Sequence, residues 1–179
     1  MSKPLKLEYV RDRIPVCYRH NPVLRWFMIA ISFAIMVYSI YFMMRFVSNT
    51  SPIFFKILPI AIAFVGLDSV LKKITSLNSV TFEQDRLRLG FIAKRALEIP
   101  YENIRKLELY RKITFYFGIS YIDLNGKEKK YTAQASFPHT LEIILNIADM
   151  APKAAIPDQM QSIVDYLKSS VQDGIQQDN

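Results

Sequence analysis

The chain has 179 residues, 51% of them hydrophobic, with 23 Lys and Arg against 16 Asp and Glu and a net charge of +7. That length allows one modest domain plus an accessory element, and apolar character joined to basic charge points to a membrane protein with cationic water-facing parts. The single cysteine, Cys17, excludes an intramolecular disulfide, so nothing requires an oxidising compartment, and no repeat or low-complexity tract is present.

Residues 1–25 carry six basic and two acidic side chains, which predicts a basic cytoplasmic or interfacial segment. Within it KLEYV alternates apolar and charged residues like a strand, able to extend a sheet or to lie at the interface. Residues 26–44, WFMIAISFAIMVYSIYFMM, are nineteen uncharged residues bounded by Arg25 and Arg45. At about 1.5 Å per residue this run matches the ~30 Å hydrocarbon core, and it is too long for the apolar core of a cleaved signal peptide.

A second helix is expected over residues 53–71. Its uncharged run, ILPIAIAFVGL, is short, and spanning requires Lys56 to snorkel at one interface while Asp68 sits near the other. The SNTSP link permits only a tight turn, so residues 26–71 are predicted to form an antiparallel transmembrane hairpin, with Pro59 a possible kink site. Lys and Arg flank both outer ends, which places both termini in the cytoplasm by the positive-inside rule. Asp68 is an intramembrane polar candidate. It forms either an (i, i+4) pair with Lys72 or part of an ion or proton pathway. Gly66 and Asp68 are expected to mark where a partner or the cytoplasmic domain packs.

From Asn78 the pattern changes to short β-forming runs: NSVTF, RLRLG, AKRALEI, IRKLELY, ITFYFGISYIDL and KEKKYTA. Asn125–Gly126 between the last two is a strong hairpin signal. SFPHTLEIILNIADMAP then reads as one helix with an apolar face of Leu141, Ile144, Leu145 and Ala148. Six or seven consecutive strands closed by a helix predict an antiparallel roll or small barrel over residues 72–152. Residues 153–179 add an amphipathic helix with Met160, Ile163, Val164, Leu167 and Val171 on one stripe, followed by a polar tail. That stripe either packs on its own domain or docks a partner.

A helical hairpin, a strand, the turn FEQDRLRL and then EIPYENIRKLEL resemble the bacterial pleckstrin-homology-like (bPH) membrane proteins. The matching residues are Asp85, Leu87, Ile99, Pro100, Ile104 and Leu107, and the resemblance covers roughly residues 25–150. It implies an α+β membrane protein, a PH-like antiparallel domain after the hairpin, and a bacterial inner-membrane location. It implies binding through loops and strand edges, and it supplies no catalytic residue.

No catalytic constellation is visible. Cys17 and His20 make a C-x-x-H pair, but two further metal ligands would be needed, and His139 is the only other histidine. There is no Gly-rich phosphate loop, and Ser120 and Ser136 lack a nucleophile motif. The expectation is a protein without enzymatic activity, cofactor or metal.

The basic residues are the binding candidates: Lys72, Lys73, Arg86, Arg88, Lys94, Arg95, Arg111 and Lys112. Arg86 and Arg88 alternate with Leu87 and Leu89, so the arginines share one face of a strand. Either these cations dock a tethered domain on an anionic leaflet, at about 1 kcal/mol each, or they form a solvated face with Glu98, Glu102, Glu108 and Glu128. Nothing resembles a nucleic-acid module. Two functional readings follow. The first is an adaptor or accessory subunit that holds another membrane protein or a second copy of itself; the second is a reader of anionic lipid headgroups.

Overall fold

The computed structural model describes residues 9–48, 50–111 and 114–177, with the backbone alone for Gln159 and residues 170–177. The elements run β1 (Val16–Arg19), α1 (Pro22–Phe46), α2 (Ile53–Thr75), β2 (Leu77–Phe82), β3 (Arg86–Phe91), β4 (Leu97–Pro100), β5 (Ile104–Arg111), β6 (Phe115–Ile122), β7 (Glu128–Gln134), α3 (Thr140–Met150) and α4 (Asp158–Gln177). They belong to two units. One holds His20–Ser76 with Phe91–Lys94, and the other holds the chain up to Arg19, Leu77–Gly90 and the residues from Arg95 onward.

In the helical unit, α1 begins where Asn21 Oδ1 accepts from the amides of Val23 (3.0 Å) and Leu24 (3.3 Å), with Pro22 in the first turn. Both helices outrun their uncharged cores, because Arg25, Arg45, Lys72 and Lys73 are good helix formers and continue the hydrogen-bonded spiral. At about 1.5 Å per residue, α1 and α2 are about 37 and about 35 Å long, enough to cross a bilayer. Only 11% of the most apolar window of each is buried within the chain, unlike the core helix of a water-soluble domain. Trp26, Phe33, Tyr41, Phe54, Phe64 and Val65 all expose more than half their surface.

What the helices do bury is a seam of small side chains. Ser39 donates to the Pro59 carbonyl at 2.7 Å, and the hydroxyls of Ser32 and Ser69 meet at 3.0 Å. Gly66 sits so close to α1 that a Cβ on it would lie 3.1 Å from both the Met36 Cβ and the Ser32 carbonyl oxygen. In a helix pair surrounded by lipid, apolar side chains would gain nothing by leaving it for each other, and small residues and hydroxyls are what hold such a pair together. The packing partner of Gly66 is therefore α1.

The other unit contains two antiparallel sheets, ordered β1-β2-β3-β4 and β5-β6-β7. Strand pairing closes no barrel among the described residues. Among the described residues six strands follow the helices and one precedes them: Val16–Arg19 pairs with Ser79–Phe82, from Val16↔Phe82 to Arg19↔Ser79. The hairpin is thus an insertion between two neighbouring strands, and the boundary expected at residue 72 does not separate the N-terminal segment from the domain. Pro100 ends the pairing of β4 with β3, and the turn at Tyr101–Asn103 carries the chain from the first sheet into the second. At the expected Asn125–Gly126 turn, Gly126 takes φ +73 and Asp123 Oδ1 accepts from the amides of Asn125 and Lys127.

The core draws on both sheets and α3: Phe82, Leu87, Ile104, Phe117, Ile143 and Ile147 are completely buried. The expected apolar face of α3 is only partly right. Residues 143–148 are buried all round the helix, whereas Leu141 is exposed. The cause is α4, which covers a second side: Leu167 packs on Leu145, with Tyr9 and Ile163 beside them. Asn146, fully buried, accepts from the Val10 amide at 2.9 Å and donates to the Glu142 carbonyl at 2.8 Å, pinning the N-terminal segment to α3.

The close approach at Gly66 makes a measurable prediction. Gly66→Val should force the helices apart at an overpacking cost of about 1–3 kcal/mol, lowering the thermal midpoint of the detergent-purified protein by several degrees. Val65→Leu, on a side chain that is 70% exposed, should leave the midpoint unchanged. Equal behaviour of the two variants would contradict the seam.

Candidate functional site

The cations singled out by sequence divide between the two units. Lys72, Lys73 and Lys94 belong to the helical unit; Arg86, Arg88, Arg95 and Arg111 belong to the sheet unit. Lys112 lies outside the described residues.

Alternation along β3 places Leu87 and Leu89 in the core and both arginines on the outer face. That face is not a bare cationic surface. Arg86 binds Asp85 at 2.9 Å and Glu98 at 3.1 Å, with Glu83 at 3.8 Å. Arg88 stands directly across the ladder from Glu98, and its guanidinium lies 3.8 Å from Glu83 and 3.9 Å from Glu98. Hydrogen bonding to Arg86 holds the Asp85 carboxyl below its usual range and, with Glu98, raises the arginine further. Three carboxylates around two guanidinium groups leave no net positive charge to offer a phosphate.

On the second sheet, Glu108 receives Lys106 at 2.6 Å and also pairs with Lys130, while Lys129 binds Asp123 at 2.7 Å. The Lys130 ammonium also lies 5.2 Å from the Tyr110 ring centre, and Tyr110 stacks on Tyr116. Arg111 lies over the Phe115 ring at 5.6 Å, and Arg95 is exposed.

The helical unit is different. Lys72 pairs with Asp68 at 2.6 Å, the (i, i+4) arrangement rather than a buried relay, since both side chains are more than half exposed. Arg25, unremarked in the sequence except as a boundary, donates to the Lys73 carbonyl, to the Ser76 carbonyl at 3.0 Å and to Ser76 Oγ at 3.0 Å. A cation on the terminal carbonyls of α2 complements the helix dipole and ties the start of α1 to the end of α2. Its signal in the sequence was a lone arginine one turn inside a Pro-initiated helix.

The predicted docking stripe on α4 is occupied. Met160, Val164 and Leu167 are 1%, 0% and 4% exposed, and Ile163 packs on the Leu145–Leu167 cluster. Of the two expectations for this stripe, packing on its own domain is the one observed: these residues serve that domain's core and are not partner contacts. Cys17 is exposed, His139 contacts Tyr18 and Glu142, and no group of three metal-ligating residues occurs among the described residues. A groove of about 580 Å³ along the hairpin, lined by residues including Tyr38, Phe42, Leu58 and Ile62, is almost wholly apolar, and its Ser39 hydroxyl is already engaged.

Among the described residues β1 and β4 are the outer strands of the first sheet, and β7 is an outer strand of the second. The outer edge of β5 is capped by the chain itself, where Ala155 exchanges hydrogen bonds with Arg105 (2.8 Å) and Leu107 (3.0 Å). β7 pairs only with β6 among the described residues. Because the Ala135 amide donates to Phe115 across this ladder at 2.8 Å, alternation turns the amides of Lys130, Thr132 and Gln134 outward. No protein-family model, curated protein or solved structure matches the chain.

His20 supplies a pH test. Burial, then the charges of Arg25 and Lys73, hold its pKa below the usual 6.5. The imidazolium is therefore costlier folded than unfolded, and stability falls as pH drops below about 6.5, levelling off beneath the folded pKa. Between pH 7 and 5 the thermal midpoint of the wild type should fall more than that of His20→Asn; parallel curves would contradict the assignment.

Proposed function

We propose that this protein is a non-enzymatic, membrane-anchored adaptor or accessory subunit of a bacterial inner-membrane complex, presenting a PH-like domain at the cytoplasmic surface. The observation that carries the proposal is the exposed apolar surface of α1 and α2, inserted between two strands that pair with each other. Such a surface needs a hydrocarbon solvent, and a bilayer supplies it. Cations are concentrated at the end of the hairpin where the sheet domain is attached, which under the positive-inside rule supports a cytoplasmic position for that domain.

With the α4 stripe buried, the partner contact moves to the β7 edge. An extended segment of a second membrane protein would add as a strand, using the outward amides of Lys130, Thr132 and Gln134. The alternative, headgroup reading by Arg86 and Arg88, is disfavoured by the carboxylates that surround them.

Thr132→Pro tests the proposal, because it removes an outward amide without touching the β6 hydrogen bonds. Full-length wild type in mild detergent should bring down a membrane protein at constant ratio, and the variant should lose it while keeping its melting behaviour. A wild type recovered as a lone monomer, or capture unaffected by the substitution, would contradict the adaptor reading.

A further inference from the structure

The helical unit contains six basic residues and a single acidic one, Asp68, which is engaged by Lys72. Arg45 and Lys56 lie toward the connecting turn, whereas Arg25, Lys72, Lys73 and Lys94 gather where α1 begins and α2 ends. Two backbone-directed contacts set this grouping. Arg25 is fixed to the Lys73 and Ser76 carbonyls, and the Ala93 amide donates to the Ile74 carbonyl at 3.1 Å, laying the exposed Lys94 beside the last turn of α2. Neither Lys73 nor Lys94 forms an ion pair among the described residues. The lowered pKa of His20, owed after burial to Arg25 and Lys73, agrees with an excess of positive charge there.

Apolar surface adjoins these cations. Trp26 is 58%, Phe27 60% and Leu71 49% exposed within a turn of Arg25 or Lys72. Charge alone would suit any phosphate; charge bordered by exposed aromatic and aliphatic side chains suits a phosphate that carries acyl chains. We propose that Lys73 and Lys94, backed by the charge of Arg25, bind the phosphate of an anionic phospholipid at the base of the hairpin. The site uses none of the ion-paired arginines of β3. It rests on the reading of α1 and α2 as membrane-spanning, and the test separates the two claims.

The full chain is reconstituted in nanodiscs of equal phosphatidylglycerol and phosphatidylcholine, and the lipids it retains are read by native mass spectrometry. Wild type should retain phosphatidylglycerol preferentially. Lys73→Gln with Lys94→Gln should reduce that preference on the order of tenfold, while Arg86→Gln with Arg88→Gln leaves it unchanged. Inorganic phosphate at millimolar concentration should not displace the lipid. Insertion with no lipid preference, or a preference lost only in the β3 variant, overturns the site while leaving the hairpin reading intact. Displacement by inorganic phosphate would assign the cations to a soluble anion instead, and failure to insert at all would overturn both claims.

Discussion

Four residue pairs between β1 and β2 hold the two ends of the helical insertion side by side, and the rest of the architecture depends on that ladder. Arg19 faces Ser79, so the chain enters the hairpin and returns from it at one place in the sheet. The insertion keeps the short strand Val16–Arg19 in a domain whose other strands lie more than fifty residues later. A domain joined to a hairpin by two covalent connections has less freedom than one on a single linker, and the closing entropy is carried by the ladder and by the core beneath it. Tyr18 takes part in both, stacking edge-on against Phe82.

The two units solve opposite solvation problems. The sheet unit buries its large apolar side chains and completes its core with α4, whose stripe from Met160 to Leu167 would otherwise face water. The helical unit buries almost none, and its contacts are hydroxyls, a glycine and a proline carbonyl. Close backbone approach and hydrogen bonding, rather than apolar burial, hold such helices together in lipid. Charge follows the same division: several cations on the sheets are paired with Glu83, Glu98, Glu108 and Asp123, while the six basic residues of the helical unit share one carboxylate of their own unit, Asp68.

Much of this was legible in the sequence because it rests on long or periodic signals. The apolar run at residues 26–44 is decisive by length, the Leu87/Leu89 alternation fixed the inward face of β3, and Asn125–Gly126 marked its hairpin. β1 was missed: four residues reading VCYR carry no pattern beyond noise, and their strand identity comes from a partner sixty residues away. What covers the α4 stripe was left open for the same kind of reason. Amphipathic spacing says that a face must be covered, and only Leu145 and Tyr9 say by what. The clustering of Arg86 and Arg88 with Glu83 and Glu98 likewise depended on register across a ladder, which residue counts do not supply.

The central claim is that the chain crosses a bilayer twice, with the sheet unit left on the side of both termini. Its most direct test is the labelling of single cysteines by a membrane-impermeant maleimide in intact cells, in a Cys17→Ser background. Ser51→Cys in the hairpin turn should be labelled from outside, and Asn125→Cys at the β6–β7 turn only after the membrane is permeabilised. Labelling of Asn125→Cys in intact cells, or extraction of the protein without detergent, would contradict the account.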